Sequence, residues 1–179
     1  QFIKFYKFKK LNFLSTFQTS YIGGFFNSFL IPLFSNSNII FFDFFGGIDI
    51  FNFWKHINNY KISAVWFTPS VVKSLLKLDS SNEIKIHISS KIKFPFCGTA
   101  YLHKKLKKEF FKIFNIKLLE NYGLSETTFV SLEKPNSKNT YKTGFVGSII
   151  NNVNVGLKDI NRGTHKEIHV NSKYIFDGY

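Results

Sequence analysis

Short, mostly apolar runs separated by segments with helical character constrain the fold of this chain most strongly. The runs are Asn38 to Asp43, Ile62 to Phe67, Ile92 to Cys97 and Ile116 to Glu120. A nearly unbroken apolar run is typical of a strand that is covered on both faces, as in parallel sheets. This alternation of strands and helices predicts an α/β fold with a mainly parallel sheet flanked by helices.

Two of the intervening segments carry clear helix signals. Thr68 and Pro69 are typical of a helix start, with threonine as the cap and proline in the first turn. The segment Leu102 to Phe114 has apolar residues at helical spacing. Its lysines, which are Lys104, Lys105, Lys107 and Lys108, fall mostly off the apolar stripe. We therefore expect them to form a solvated face.

The character of the chain changes after Val130. A polar segment containing Pro135 is followed by short strand-like pieces, which are Phe145 to Ile149, Val153 to Lys158 and Glu167 to Val170. We therefore predict an α/β subdomain at residues 1–132, followed by part of a smaller β subdomain at residues 133–179.

The segment Asn121 to Thr128 follows a predicted strand and contains groups suited to a nucleotide. Tyr122 offers a flat ring, Ser125 a hydroxyl and Glu126 a carboxylate suited to Mg²⁺. We expect Ser125 to begin a helix, whose positive end would attract a phosphate. The alternative is purely structural, with Ser125 as a helix cap and Tyr122 as a core ring.

A second segment of this kind, Gly98-Thr99-Ala100, follows the run that ends at Cys97. Small residues at the carboxyl end of a strand allow a ligand to approach the backbone closely. Ligands of open α/β sheets collect at this edge. We therefore predict that the strand ends at Cys97 and Glu120 are neighbours and flank one slot for a purine.

Composition limits the possible partners. The 179 residues carry a net charge of +13, and nearly all the basic residues are lysine. A basic chain suggests nucleic acid or an anionic membrane, but abundant Phe, Ile, Lys and Asn also indicate an AT-rich gene. We predict a small-molecule partner and no nucleic acid. Because the chain contains no Met and begins at Gln1, we expect it to be a fragment or a chain processed at its N-terminus.

Cysteine content and hydropathy bear on location. Cys97 is the single cysteine, which excludes an internal disulfide and fits the cytoplasm, and its apolar surroundings predict a packed thiol. No charged residue occurs from Leu11 to Phe42, but Pro32 and the polar run at 35–38 interrupt this stretch. A spanning helix needs about 20 apolar residues, so we predict no transmembrane segment.

Four segments, taken in order, resemble motifs of the adenylate-forming (AMP-binding) superfamily, which includes acyl-CoA synthetases, beetle luciferases and the adenylation domains of peptide synthetases. They are Gly98 to Leu102, Asn121 to Thr127, Gly144 to Gly147, and Lys166 to Ile168 followed by Asp177 to Tyr179. They are similar to the family's glycine- and alanine-rich segment, its tyrosine-glycine-any-threonine-glutamate motif, its glycine-any-valine-glycine element and its glycine-glutamate-leucine strand. Tyr101 replaces the usual proline, and Lys166 replaces the usual glycine.

The resemblance implies a set of nucleotide-binding residues: Gly98, Thr99, Ala100, Asn121, Tyr122, Gly123 and Ser125. Tyr122 would stack on adenine, and residues 98–100 would form the opposite wall. Ser125 and Glu126 would be the catalytic residues, with Ser125 at the α-phosphate and Glu126 holding Mg²⁺.

Tyr21, Gly23 and Gly24 fall where the family often has an aromatic or histidine before glycines that line the acyl pocket. This resemblance implies that the three residues bind the carboxylate substrate. The alternative is a plain turn at the two glycines.

The function implied by the resemblance is that of an ATP-dependent acid–thiol ligase of the AMP-forming acyl-CoA synthetase type. It would use ATP, Mg²⁺, a small-molecule carboxylate and coenzyme A. The chain has no Gly/Ser/Thr-rich phosphate loop ending in lysine-glycine, and the family's catalytic lysine lies in a further domain, so we expect the fragment to be inactive alone. An amino-acid adenylation domain and a basic module that binds nucleic acid or membranes remain as alternatives.

Overall fold

The structure, a computed structural model, describes residues 1–42, 45–78, 87–142, 144–160 and 165–179. Its strands are β1 (Asn12–Leu14), β2 (Asn38–Ile40), β3 (Ala64–Phe67), β4 (Phe94–Cys97), β5 (Leu119–Leu124), β6 (Thr128–Leu132), β7 (Ser148–Ile149), β8 (Val153–Asp159) and β9 (Lys166–Ser172). Its helices are α1 (Phe2–Tyr6), α2 (Ile22–Phe25), a π-helical segment (Phe26–Leu30), α3 (Ile31–Phe34), α4 (Gly47–Phe51), α5 (Phe53–Asn59), α6 (Pro69–Leu78) and α7 (Lys104–Phe114).

Seven strands form the main sheet in the order β2-β1-β3-β4-β5-β6-β7. The pairs from β2 to β5 are parallel, whereas β6 and β7 are antiparallel to their neighbours. Helices separate most of the parallel strands along the chain, as crossover connections require. The predicted α/β fold with a mainly parallel sheet is therefore confirmed.

The central strand β3 shows why its sequence is apolar throughout. Val65 and Phe67 face one core cluster, which α5, α6 and α7 cover. Ala64 and Trp66 face a second cluster on the other side of the sheet, where α1 and α3 pack. All four side chains are fully buried. Because both faces of β3 are covered, it lacks the alternation of polar and apolar residues that a half-exposed strand would show.

The structure confirms one local prediction around the sheet and shortens another. The predicted cap of α6 is present, because Thr68 Oγ1 accepts a hydrogen bond from the amide nitrogen of Val71 at 3.1 Å. The predicted buried strand at 38–43 is shorter, since β2 ends at Ile40 and lies half-buried at the edge of the sheet. Residue 43 lies outside the described residues.

Beyond Leu132, the three predicted strand-like pieces all contain strands. β7 joins the main sheet beside β6, whereas β8 and β9 form a separate antiparallel hairpin that pairs Val153 with Ser172. The division into subdomains at residue 133 stays a prediction. Within the described ranges, no helix has the length and apolar character needed to cross a bilayer.

Candidate active site

The carboxyl end of β4 lies beside the point where the parallel pairing of β5 ends. Cys97, the last residue of β4, pairs in parallel register with Glu120 of β5. The segments 98–100 and 121–126 therefore continue from neighbouring positions at the edge where such sheets bind ligands. The predicted adjacency of these strand ends is confirmed.

Asn121 joins the two segments through its side chain. Its Nδ2 donates a hydrogen bond to the carbonyl oxygen of Cys97 at 3.0 Å. A Cβ atom at Gly98 would lie 2.7 Å from Asn121 Oδ1, so a larger residue there would displace the amide. The next residue, Thr99, has a φ of 75°, in the left-handed region that β-branched residues rarely adopt. Strain of this kind clusters at ligand-binding segments.

The motif at residues 121–128 forms a hairpin, and the predicted helix start at Ser125 is wrong. β5 continues to Leu124, a turn follows, and β6 runs back antiparallel to β5. Thr127 Oγ1 stabilises the turn by accepting a hydrogen bond from the amide nitrogen of Leu124 at 3.1 Å. The β-branched and aromatic residues at 127–130 favour this strand over a helix. A phosphate at this turn would meet hydroxyl and amide groups instead of a helix end.

Gly123 allows the two strands of this hairpin to approach closely. A Cβ atom at this position would lie 2.0 Å from the backbone carbonyl oxygen of Thr128, which no side chain can tolerate. The strand register also shifts between Tyr122 and Gly123. The glycine of the motif therefore has a structural requirement of its own, in addition to any contact with a ligand.

A cavity of about 240 Å³ lies between the helical segment that begins at Ile22 and the β5–β6 hairpin. We call it the central cavity. The predicted site residues that line it are Tyr21, Gly23, Thr99, Asn121, Gly123 and Ser125. The other lining residues are Ile22, Phe26, Asn27, Leu124, Thr128 and Phe129. Among the described residues, the lining does not include the predicted site residues Gly24, Gly98, Ala100, Tyr122 and Glu126.

The segment Tyr21 to Gly24 is the start of a helix and not a turn. Tyr21 occupies the cap position, and both glycines lie within α2. A Cβ atom at Gly23 would collide with the Tyr21 ring, and one at Gly24 would lie 1.8 Å from the Gln18 carbonyl oxygen. Gly24 is therefore required by backbone packing, whereas at Gly23 the flexible Tyr21 side chain could move aside. Their role in substrate binding stays a prediction.

Tyr122 and Ala100 differ in their surroundings. Tyr122 is half-buried and packs against the core cluster that contains Trp66 and Phe96. Ala100 is exposed on the segment after β4. Stacking of adenine between these two positions stays a prediction.

Glu126 lies half-buried on the turn after β5 and is contacted by the C-terminal segment. Its Oε1 accepts a hydrogen bond from the Tyr179 hydroxyl, and its carbonyl oxygen accepts one from the amide nitrogen of Phe176 at 3.0 Å. The bond from Tyr179 lowers the pKa of the Glu126 carboxyl, which favours the charged form. No group of three or more metal-binding side chains occurs among the described residues. Binding of Mg²⁺ by Glu126 stays a prediction.

A buried ion cluster, formed by Lys107, Glu120 and Glu133, lies directly behind the motif strand. Lys107 Nζ donates to Glu120 Oε1 at 2.8 Å and to Glu133 Oε2 at 2.7 Å. The same Glu133 oxygen accepts from the Glu120 amide nitrogen at 3.0 Å. Only 2% of the Lys107 side chain is exposed. The cluster fastens α7 to β5 at the residue before Asn121.

The expectation that the α7 lysines form a solvated face is wrong for Lys107. The buried residues of this helix are Lys107, Phe110 and Phe114, which follow one helical stripe. This spacing could have predicted that Lys107 is buried, but a charged side chain is normally expected to be exposed. Burial raises the pKa of Glu120, against the opposing effect of Lys107. Burial also raises the pKa of the Cys97 thiol, in agreement with a packed cysteine.

The comparisons with known proteins agree with this arrangement. A family model described as "AMP-binding enzyme" matches residues 3–179. The chain belongs to this family. The resemblance seen in its motifs is therefore confirmed. No curated protein matches the chain.

Solved structures of several family-related ligases share the fold of this AMP-binding chain. ATP-bound MatB from Rhodopseudomonas palustris has a TM-score of 0.81 and 18% identity, over 99% of this chain and 35% of its own. A malonyl-CoA ligase with methylmalonyl-CoA and AMP bound has a TM-score of 0.82 and 14% identity, over 99% of this chain and 38% of its own. O-succinylbenzoate coenzyme A synthetase from Bacillus subtilis, in complex with AMP, has a TM-score of 0.74 and 15% identity, over 94% of this chain and 34% of its own. The chain thus spans about a third of the length of these proteins.

Proposed function

We propose that this chain forms the nucleotide-binding part of an ATP-dependent acid–thiol ligase of the AMP-forming acyl-CoA synthetase type. The observation that carries the proposal is the central cavity, which brings Thr99, Asn121 and Ser125 together from two neighbouring strand ends. Structures that share the fold include ATP-bound MatB and a malonyl-CoA ligase with AMP. Family membership and geometry together support ATP, a carboxylic acid and coenzyme A as ligands.

The reaction has two steps. A carboxylate oxygen of the substrate attacks the α-phosphorus of ATP, the bond to the bridging oxygen breaks, and pyrophosphate leaves with the electron pair. The product is an acyl-adenylate. The thiolate sulfur of coenzyme A then attacks the acyl carbon, and AMP leaves from the tetrahedral intermediate to give a thioester.

The residues of this chain bind and orient the nucleotide in the proposed reaction. The Ser125 hydroxyl donates to an oxygen of the α-phosphate, where charge develops in the transition state. Tyr122 stacks on adenine, and residues 98–100 form the facing wall. Glu126, half-buried and favoured in its charged form, would hold Mg²⁺. Mg²⁺ neutralises phosphate charge when bound.

The chain is expected to bind ATP without turning it over. No Gly/Ser/Thr-rich loop ending in lysine-glycine occurs within its 179 residues. Pyrophosphate release by residues 1–179 with ATP and a carboxylate would contradict this expectation. We place the protein in the cytoplasm, a location that its single, buried cysteine supports.

Calorimetric titration of residues 1–179 with ATP, with and without Mg²⁺, tests the proposal. Glu126→Ala is expected to lower the affinity for Mg²⁺–ATP about tenfold, the effect of one bond to a charged group. It should leave the affinity for Mg²⁺-free ATP unchanged. Glu109→Ala is the control, because it removes an exposed glutamate of α7, away from the motif. Tyr122→Ala is expected to lower the affinity for ATP about threefold or more, with and without Mg²⁺, because the stacking on adenine is lost.

Two outcomes would oppose the proposal. If wild type, Glu126→Ala and Tyr122→Ala bind ATP with equal affinity, the motif is not part of the ATP-binding site. Steeply salt-dependent binding to DNA or anionic liposomes that Tyr122→Ala leaves intact would favour the basic binding module instead.

A further inference from the structure

The buried ion cluster lies directly beside a predicted nucleotide-binding residue. Glu120, a member of the cluster, is followed in β5 by Asn121, which lines the central cavity. Such a cluster is a poor source of stability, because apolar residues of similar volume often replace buried ion pairs without loss. Its hydrogen bonds are satisfied only when every member keeps one orientation. A fixed geometry beside the cavity is therefore what this cluster contributes.

Glu120 is held by the rest of the cluster at three points. Its amide nitrogen donates to Glu133 Oε2 at 3.0 Å, and its carbonyl oxygen accepts from the Glu133 amide nitrogen at 2.9 Å. Its carboxylate accepts from Lys107 Nζ at 2.8 Å. Both the main chain and the side chain of the residue before Asn121 are therefore fixed by the cluster.

The orientation of the Asn121 amide depends on this fixed main chain. Within the described part of the chain the amide makes one hydrogen bond, from Nδ2 to the Cys97 carbonyl oxygen at 3.0 Å. This bond crosses from β5 to β4 and leaves Oδ1 available to a ligand. A small shift of β5 against β4 would break the bond and turn the amide away from its position at the cavity.

A single oxygen of Glu133 carries the side-chain hydrogen bonds that hold Glu120. Oε2 accepts from Lys107 Nζ and from the Glu120 amide nitrogen, whereas Oε1 is buried without a hydrogen-bond partner among the described residues. Glutamine at position 133 can place its oxygen where Oε2 lies and keep both bonds. Leucine is similar in size but has no acceptor. The two substitutions therefore separate hydrogen bonding from packing.

We propose that Lys107 and Glu133 are positioning residues for nucleotide binding, which orient Asn121 by holding the main chain of Glu120. Neither residue is among the described lining of the central cavity, so both act through Asn121. The inference rests on the proposed function, because it assigns Asn121 to the nucleotide. It adds to that function a dependence of the ATP affinity on two residues outside the cavity.

Calorimetric titration of residues 1–179 with ATP tests this inference, because it gives both the affinity and the fraction of molecules that bind. Glu133→Leu is expected to lower the affinity about fivefold, within the range found for residues coupled in one network. Glu133→Gln should keep the wild-type affinity to within about twofold, because the acceptor remains. Leu75→Ala is the control for lost stability, since it removes a buried side chain of α6. It should lower the melting temperature and leave the affinity of the folded molecules unchanged.

A double variant shows whether the effect passes through Asn121. Asn121→Ala alone should lower the ATP affinity about fivefold, the effect of one lost hydrogen bond. Adding Glu133→Leu to Asn121→Ala should cause no further loss, because the amide that the cluster orients is absent. A purely structural role would instead give additive losses, or a smaller fraction of binding molecules at unchanged affinity.

The outcomes separate this inference from the proposed function. Equal ATP affinity in wild type and Glu133→Leu overturns the inference and leaves the proposed function intact. Additive losses in the double variant overturn the action through Asn121. If Glu133→Leu does not fold, Glu133→Gln decides, because a loss of about fivefold in a variant that keeps the acceptor overturns the inference. Failure of the wild-type chain to bind ATP overturns both the inference and the proposed function.

Discussion

Replacing Lys107 with methionine is the most direct test of the buried ion cluster. Methionine retains much of the apolar volume of lysine but lacks the ammonium that lies 2.8 Å from Glu120 and 2.7 Å from Glu133. The two carboxylates would stay in a site where the Glu133 side chain is fully buried. Removal of one partner from a buried ion pair costs about 3–5 kcal/mol. Because domains are stable by about 5–15 kcal/mol in total, the variant should lose a large part of its stability.

Urea unfolding followed by circular dichroism measures this loss. Lys112→Met is the matched control on the exposed face of α7, and it should change stability by less than about 0.5 kcal/mol. Adding Glu133→Gln to Lys107→Met removes one of the two unpaired carboxylates and should recover part of the lost stability. The loss should also shrink at acid pH, because protonation neutralises the stranded carboxylates.

A loss for Lys107→Met no larger than that for Lys112→Met would refute this reasoning. It would mean that the carboxylates are solvated or protonated without the ammonium. A loss that is independent of pH would also contradict the electrostatic explanation and point to packing alone.

Other substitutions test separate parts of the structure. Gly123→Ala places a Cβ atom 2.0 Å from a backbone oxygen, so the hairpin should distort, with lower thermal stability and weaker ATP binding in the same calorimetric assay. Phe96→Ala removes a fully buried ring and should cost about 3–5 kcal/mol in urea unfolding. Burial raises the pKa of Glu120, so the folded state holds a proton more readily than the unfolded state, and this residue's contribution to stability falls as the pH rises above its unfolded value of about 4.3. Glu120→Gln should reduce that fall, which urea titrations at several pH values would show.

The main sheet could be predicted from the sequence because its central strands are covered on both faces. The residues of β3 divide between two core clusters, and every one of them is apolar. The adjacency of Cys97 and Glu120 followed from the same pattern, since both end apolar runs that form neighbouring parallel strands. These features depend on local composition alone.

Two features of the site could not be predicted in this way. The hairpin after Leu124 needs Gly123 beneath a backbone oxygen, which is a tertiary effect, and the residues at 127–130 gave only a local signal for its second strand. The burial of Lys107 depends on Glu133, which lies 26 residues away in sequence. A charged residue at a buried helical position is interpreted as exposed unless its distant partners are known.

Because Lys107 is buried, its chemical modification would report how often α7 separates from the sheet. Every other lysine in the described ranges is at least partly accessible to solvent. A brief pulse of an amine-modifying reagent would therefore acylate those side chains first, and Lys107 would gain the label only in molecules whose α7 has lifted away from the sheet. Peptide mass spectrometry after such pulses would give the frequency of this opening from an amino acid that the chain already contains.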